Sequence, residues 1–445
     1  MEMYTFQHES DLAAFEAFVK ANGGIYLQSA KWADVKKDWT HAFYSGFNAD
    51  GARVLTALIL GRSLPGVGKI WYCPAGAVCD YENAALLRAF SDFMLREMKQ
   101  AGVTALFFDP CVELRVNGET REKGVNVHGN LVKAGFHLNA DASKCLYKAP
   151  VQLMLPLKTP EGVEVTPEKL LKSFEKGVRY SVRVGESRGL IEKVHTAKDI
   201  EADPTILDRF AAVMRDTSDR NDFTERGSDY IAHLLRVFGD EEMDIMLIYY
   251  DKQKDTAMEA ERQARKAQLE AALPTAPEKK VRGIKEELES IEKQTAHYEE
   301  RVKETEGAGD LIAVAGGLTV HYNGMSSCLF GGARDLLRNN FRASHYFNFR
   351  RICRSIALQN DVHDLGYVLL KPTAVNPDGT LGPCEPREDF EGICAFKKSF
   401  GADYIEYIGE YVLVANKLKF FAYEKLFDLG KTALHVVNKV VKKTR

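Results

Sequence analysis

Two apolar, strand-like runs, MDIMLIYYD and LIAVAGGLTVHY, are separated by a segment of entirely different chemistry. Residues 251–306 carry 26 charged side chains in 56 positions, 14 acidic and 12 basic, so most of the segment must stay in water. Ala257, Ala260, Ala264, Ala267 and Ala271 recur at alternating spacings of three and four. Beyond Pro274 and Pro277 the same spacing returns in Val281, Ile284, Leu288, Ile291, Thr295, Tyr298 and Val302. Two such stripes with a proline turn between them predict an antiparallel coiled-coil hairpin over 252–306, the alanine stripe allowing close approach. Each helix of ~22 residues would run ~33 Å. Because strand-like runs flank it on both sides, the hairpin takes the place of a turn between paired strands and projects from the body.

The rest of the chain reads as mixed α/β. A capped helix spans Ser10 to Ala21, followed by a short strand running into a helix that carries Trp32, Lys36 and Trp39. HAFYSGF and ARVLTALILG flank Asn48-Ala-Asp-Gly51, a hairpin signal. Next come KIWYCPAGAV, a helix from Tyr81 to Ala101, and VTALFFDP, ending at Asp109-Pro110. From about Val151 a second segment begins with a basic helical stretch, Thr166 to Arg188, holding Lys169, Lys172, Lys176, Arg179, Arg183 and Arg188. It closes with a helix from about Asn340 to Gln359, the strand DVHDLGYVLL and a Pro/Gly-rich loop, Lys371 to Glu388. KIWYCPAGAV–helix–TALFFDP echoes LTVHYNGMSS–helix–DVHDLGYV, each ending in a strand that carries an acid, Asp109 or Asp364. The echo suggests two copies of one α/β unit, with a ligand site between or along them.

At 445 residues the chain is long enough for two to three domains, and 45% hydrophobic with 28% charged residues is ordinary for a soluble protein. A net charge of −3 excludes a chain that is basic throughout, so any nucleic-acid contact must be a local patch, with Lys169 to Arg188 the candidate. No apolar run approaches the ~18 residues needed to span a bilayer, and the N-terminus shows no export signal. The eight cysteines form no CxxC and have no histidine at zinc-ligand spacing, reading as reduced thiols of a cytoplasmic protein with no metal site. The tail KTALHVVNKVVKKTR holds five Lys or Arg and no acid, with Leu434, Val437 and Val441 on one helical face; it suits a docked terminal helix or a membrane surface.

In EGICAFKKSFGADYIEYIGEY, residues 391–411, Lys397 and Lys398 sit between Phe396 and Phe400. Aromatics flanking a cation suit either a lysine held in place, able to stabilise an oxyanion, or a solvated pair at a strand edge. Together with LQSAKWADVKKDW, FFDPCV, MRDTSDRNDF, VHYNGMSS and VHDLGYV, in this order over roughly residues 25 to 411, the stretch resembles the Fem family of non-ribosomal peptidyltransferases, which build peptidoglycan interpeptide bridges. The resemblance implies an α/β (α+β) fold of two GCN5-acetyltransferase-like subdomains, 1–152 with 411–445 and 153–410, the coiled-coil arm being inserted in the second. It implies an aminoacyltransferase that uses no coenzyme A and no other cofactor. Its partners would be aminoacyl-tRNA and a muramyl-pentapeptide precursor, lipid II or its UDP-linked form, with peripheral contact at the inner membrane face and homologous bridge-forming enzymes beside it.

By the same resemblance Lys36 and Arg220 match residues that contact the acceptor's diphosphate, and Asp109, Tyr322 and Lys397 match positions at the reacting centre. Phe396 and Asp364 are read as substrate-binding. VHDLGYV departs from the family's aromatic–Asp–aromatic–Gly–Gly run, since His363 precedes Asp364 and Tyr367 replaces the second Gly; NGMSS stands where the family has a Gly-Ser turn. Chemically, Asp109 suits a proton acceptor or an anchor for the incoming ammonium, or a strand-end turn cap. Tyr322 suits a hydrogen bond to the carbonyl or packing in its strand. A coenzyme A-dependent N-acyltransferase of the same fold and a non-enzymatic coiled-coil adaptor are the competing readings. The first calls for a Gly-rich pyrophosphate loop, whose spacing neither Ala315-Gly316-Gly317 nor Gly331-Gly332-Ala333 provides; the second leaves the repeated α/β units without a role.

Overall fold

The computed structural model describes residues 3–64, 68–145, 150–159, 161–221, 226–336 and 338–423; the basic tail, 431–445, lies outside them. The chain divides into two compact units, one of residues 1–154, 366–398 and 403–445, the other of 155–365 and 399–402.

In the first unit the helix Leu12–Ala21 starts at Asp11, whose side chain accepts from the Ala14 amide. The hairpin signalled by Asn48 to Gly51 pairs Thr40–Phe47 with Arg53–Leu64, and Gly51 supplies the left-handed φ of +75° that the turn needs. Gly68–Cys73 runs antiparallel to Arg53–Leu64 and parallel to Val103–Phe108. Parallel neighbours need a crossover. Here it is the helix Ala84–Ala101, which buries Leu86, Leu87, Phe90, Met94 and Met98, is capped by Asn83 and is stopped by Gly102 at φ +67°. Tyr411–Val414 adds antiparallel to Val103–Phe108. A second run in this unit orders Val151–Met154, Asp403–Tyr407, Glu113–Val116 and Glu119–Thr120.

Residues 366–398 and 403–410 group with this unit rather than with the 153–410 block. The reason is a buried cation. Arg115 pairs with Glu406 at 3.0 Å and donates to the Leu381 and Gly382 carbonyls. Glu406 accepts from the Cys384 amide at 2.8 Å, and Asp141 accepts from the Thr373 amide at 3.2 Å. The Pro/Gly-rich loop is thereby tied down by side chains distant in sequence.

The second unit is an antiparallel run of Leu190–His195, Met243–Asp251, Leu311–Tyr322 and Met325–Ala333. Helix Ala343–Ala357 then crosses over to Val362–Tyr367, parallel to Met325–Ala333. Each unit thus holds a parallel strand pair joined by a helix. In the second, the paired strand is the one after LTVHY. The basic stretch is two helices, Pro167–Ser173 and Lys176–Glu186, broken where Phe174 turns inward against Phe349.

The arm is present as helices Lys252–Ala272 and Glu278–Glu304, and the register Asp251↔Leu311 makes it the replacement for a strand turn. Its seam differs from the expected one. Ala257, Ala260, Ala264, Ala267 and Ala271 are all exposed, while Asp255, Glu259 and Leu269 are buried, with Arg262, Lys266 and Leu273 half-buried. That stripe lies two residues along, about 200° around the helix and nearly on the opposite face. On the returning helix Val281 to Tyr298 face inward as expected, but Arg301 is buried and Val302 is 48% exposed. Polar geometry sets the rotation. Asp255 accepts from Arg301 Nε and Nη2 at 2.7 and 2.8 Å and from the Tyr250 hydroxyl at 2.9 Å, and Glu259 accepts from Thr295 at 2.7 Å. Satisfying buried charges outweighs the small gain from burying methyl groups.

Candidate functional site

A cavity of about 490 Å³ opens in the first unit, and five of its fifteen lining residues are aromatic. The turn Tyr26–Gln28 contributes Tyr26 and Leu27, and the short helix Ala30–Val35 contributes Trp32. Lys36 caps that helix, and Trp39 follows. Leu60, Tyr72 and Gln152 come from strands, Ala142, Ser143 and Cys145 from a connection, Tyr367 from the end of the strand Val362–Tyr367, and Leu369, Leu370 and Arg387 from the stretch that follows it. The Lys36 ammonium lies 4.8 Å from the centre of the Trp32 ring, and Tyr26 meets Trp32 edge-on at 5.4 Å. A cation on an indole face keeps its charge while shedding water, which suits it to an anionic ligand. Arg387 is clasped by Asp389, with Nη2 to Oδ2 at 2.6 Å.

Behind the cavity wall the Tyr72 hydroxyl donates to Asp109 Oδ2 at 2.8 Å, and the Ala75 amide donates to Oδ1 at 2.7 Å. Asp109 is 5% exposed. Burial, reinforced by the Asp109 charge, pushes the Tyr72 phenol well above its usual range, so Tyr72 keeps its proton. Burial likewise pushes the Cys145 thiol well up, aided by Glu410 and Asp109. A thiol held protonated is a poor nucleophile. Among the described residues no His, Cys, Asp and Glu group could hold a metal, and no helix is long and apolar enough to cross a membrane.

Four of the seven residues singled out in the sequence lie in the first unit. Lys36 lines the cavity, and Asp109 stands one hydrogen bond behind it. FKK is not a strand edge but the end of the helix Glu391–Lys398, where Phe396 and Lys397 are half-buried. Lys397 Nζ donates to the Tyr367 carbonyl at 2.8 Å, and Tyr367 lines the cavity. Its neighbour Lys398 sits 4.3 Å over the Tyr404 ring. The other three belong to the second unit. Arg220 bonds Asp335 at 2.6 Å, the Ala333 carbonyl at 2.9 Å and Thr217 at 3.1 Å. Tyr322 is buried at the end of Leu311–Tyr322, and Asp364 is buried opposite Ser327.

The sequence reading passed over Tyr26, Tyr72, Leu370 and Arg387. Tyr72 carried a usable signal. Two parallel strands joined by a helix set Tyr72 beside Phe107 and hence near Asp109 at the strand's end. Tyr367, noted only as a departure from a glycine, is a cavity wall.

Fold and cavity define a class: two α/β units, each with a helix-joined parallel strand pair, a helical arm in place of a strand turn, and a cavity with aromatic residues and a lysine in its wall. The chain belongs to the FemAB family, whose signature matches residues 11–427. It is 27% identical over 430 residues to the lipid II:glycine glycyltransferase of Staphylococcus aureus (strain MRSA252), covering 90% of this chain and 91% of that protein. The lipid II:glycine glycyltransferase of Staphylococcus epidermidis (strain ATCC 12228 / FDA PCI 1200) is 25% identical over 420 residues, covering 92% and 93%. The crystal structure of FemX shares the fold, with a TM-score of 0.72 at 23% identity over 94% of this chain and 99% of that one.

Proposed function

We propose that this protein transfers an amino acid from aminoacyl-tRNA to the side-chain amine of the stem pentapeptide of a peptidoglycan precursor, lipid II, and so builds the interpeptide bridge. The observation that carries the reading is the cavity with Lys36 on Trp32, in a chain matched over nine-tenths of its length to lipid II:glycine glycyltransferases. In the reaction the acceptor nitrogen bonds to the ester carbonyl carbon, the bond to the ribose oxygen breaks, and the proton lost by the amine ends on that ribose oxygen as its hydroxyl. Lys36 suits the acceptor's diphosphate as a point charge; Arg220, read from the resemblance as a phosphate contact, would have to exchange its bond to Asp335 for one to the ligand. Lys397, held by its bond to the Tyr367 carbonyl, suits the developing oxyanion. Tyr322 serves as a carbonyl donor, and Phe396 and Asp364 as substrate contacts. The donor would meet the basic helices Pro167–Ser173 and Lys176–Glu186, whose exposed Lys172, Lys176 and Arg183 suit a phosphate backbone. An aminoacyl-tRNA donor sets the reaction in the cytoplasm, and a lipid-linked acceptor sets it at the inner membrane face, beside homologous bridge-forming enzymes.

The test is mass spectrometry of lipid II, and separately of its UDP-linked precursor, incubated with the protein and a panel of charged tRNAs. One aminoacyl residue gained on lipid II with one donor is the expected result. No gain with any donor overturns the proposal; gain on the UDP-linked form alone reassigns the acceptor.

A further inference from the structure

The helix Lys176–Glu186 turns two unlike faces to its surroundings. Val178, Ser181, Val182 and Val184 are buried, whereas Lys176, Tyr180 and Arg183 are exposed. At ~100° per residue these three fall within about 60° of arc, with Tyr180 one turn from each cation. Glu186, the helix's one acid, lies about 120° around from Tyr180. Arg179 has a different task. Its Nη1 donates to the Lys172 carbonyl at 2.8 Å, which ties the break between the two basic helices and carries the exposed Lys172 to the start of the second. At the same break the Glu175 amide donates to the Ser399 carbonyl at 3.2 Å, and Ser399 is two residues along the chain from Lys397. Within this basic face the tyrosine is the odd member: a large ring, 61% exposed, on a helix that packs its smaller aliphatic side chains inward.

We infer that this face holds single-stranded RNA, the unpaired 3′ end of the donor, with Tyr180 stacked on a base and Lys172, Lys176 and Arg183 on the phosphates around it. Cations alone would suit any polyanion. The ring is what discriminates. Inside an RNA duplex each base face already lies against its neighbour, so an exposed ring finds a partner only on an unpaired base. A lipid surface is a poorer fit, because it is bound through buried apolar area, and Val178, Val182 and Val184 all face the protein. The inference rests on the reading of the donor as aminoacyl-tRNA and adds to it the side chain that tells the unpaired end from the paired stem.

The experiment measures binding of two labelled RNA hairpins to the full chain over a range of salt. One hairpin ends in the unpaired 3′ sequence ACCA common to tRNAs, and the other is blunt. The wild type should prefer the tailed hairpin by about fivefold or more, the worth of one stacked base. Tyr180→Ala should abolish that preference while leaving the blunt hairpin, the salt dependence and Tm unchanged, since the ring is exposed; Tyr180→Trp should keep the preference. Arg183→Ala should weaken both hairpins alike and flatten the salt dependence by about one phosphate. A wild type indifferent to the tail, or a Tyr180→Ala variant that loses both hairpins equally or neither, overturns this inference alone. So does a Tyr180→Ala variant that keeps its RNA preference but no longer sediments with phosphatidylglycerol vesicles, which assigns the face to a membrane. A wild type that binds neither hairpin and transfers from no charged tRNA overturns the functional reading with it.

Discussion

Lys397 is half-buried, at the end of a short helix, with its ammonium fixed on a carbonyl oxygen. Lys397→Ala should lower turnover by about 10²–10³-fold, the equivalent of losing one oxyanion donor at ~3–4 kcal/mol, while Tm moves little because alanine is a good helix former. Lys397→Arg should not restore it, since a fork does not reproduce a point charge; near-wild-type turnover in either variant removes Lys397 from the chemistry. Lys36→Ala should raise acceptor KM and leave kcat nearly unchanged, because a diphosphate is present in ground and transition states alike. His345 gives a pH signature. Burial first, and then Arg342, lower its pKa to about 4. The unfolded chain, near its ordinary value of about 6.5, takes up the proton sooner, so stability present above that pH is lost progressively as pH falls toward 4, by up to about 3 kcal/mol. Denaturant midpoints between pH 7 and 4 should follow that decline, and His345→Gln should flatten it. At this scale the sequence announces residue types but not partners: Lys397 between aromatics is legible, whereas its bond to Tyr367, thirty residues away, depends on how the loop is pinned.

For the arm, the expected and observed seams make opposite demands on mutants. If the alanines faced the partner helix, Ala264→Glu would pry the arm apart. With Ala264 exposed, the change should cost less than about 0.5 kcal/mol in a denaturant titration. Removing either member of the base pair is another matter. Asp255 is fully buried and Arg301 is 1% exposed, so Arg301→Ala strands a carboxylate and should cost about 3–5 kcal/mol. A loss below 1 kcal/mol would show that the pair does not hold the base. The existence, limits and antiparallel course of the arm were legible because proline, charge density and flanking strands are local signals. Its rotation was not, because heptad counting credits apolar positions and gives none to a buried ion pair.

The repeated strand–helix–strand units were legible across the whole chain, since a crossover between parallel strands imposes a fixed order of elements whatever the residues. The cavity was not. Its walls come from residues 26–39, 60–72, 142–152 and 367–387, and no local pattern tells Tyr26 that it will meet the loop carrying Arg387. Arg115, buried under that loop, and Asp141 hold it in place, and an isolated arginine in ELRV has no sequence signature. Arg115→Met keeps the volume but leaves Glu406 buried and unpaired. It should lower Tm and loosen pentapeptide binding together, whereas binding unchanged in a folded variant would detach the loop from the site. The arm, finally, bears on the order in which the chain assembles. Asp251 pairs with Leu311 across everything between them, and closing an unstructured loop of that length costs about 2 kcal/mol more than closing a four-residue turn. Helices that zip together from a proline bend return their two ends to one place. The insertion thus shortens the search it would otherwise lengthen, and the central strands of the second unit can join as quickly as an ordinary hairpin once the arm has formed.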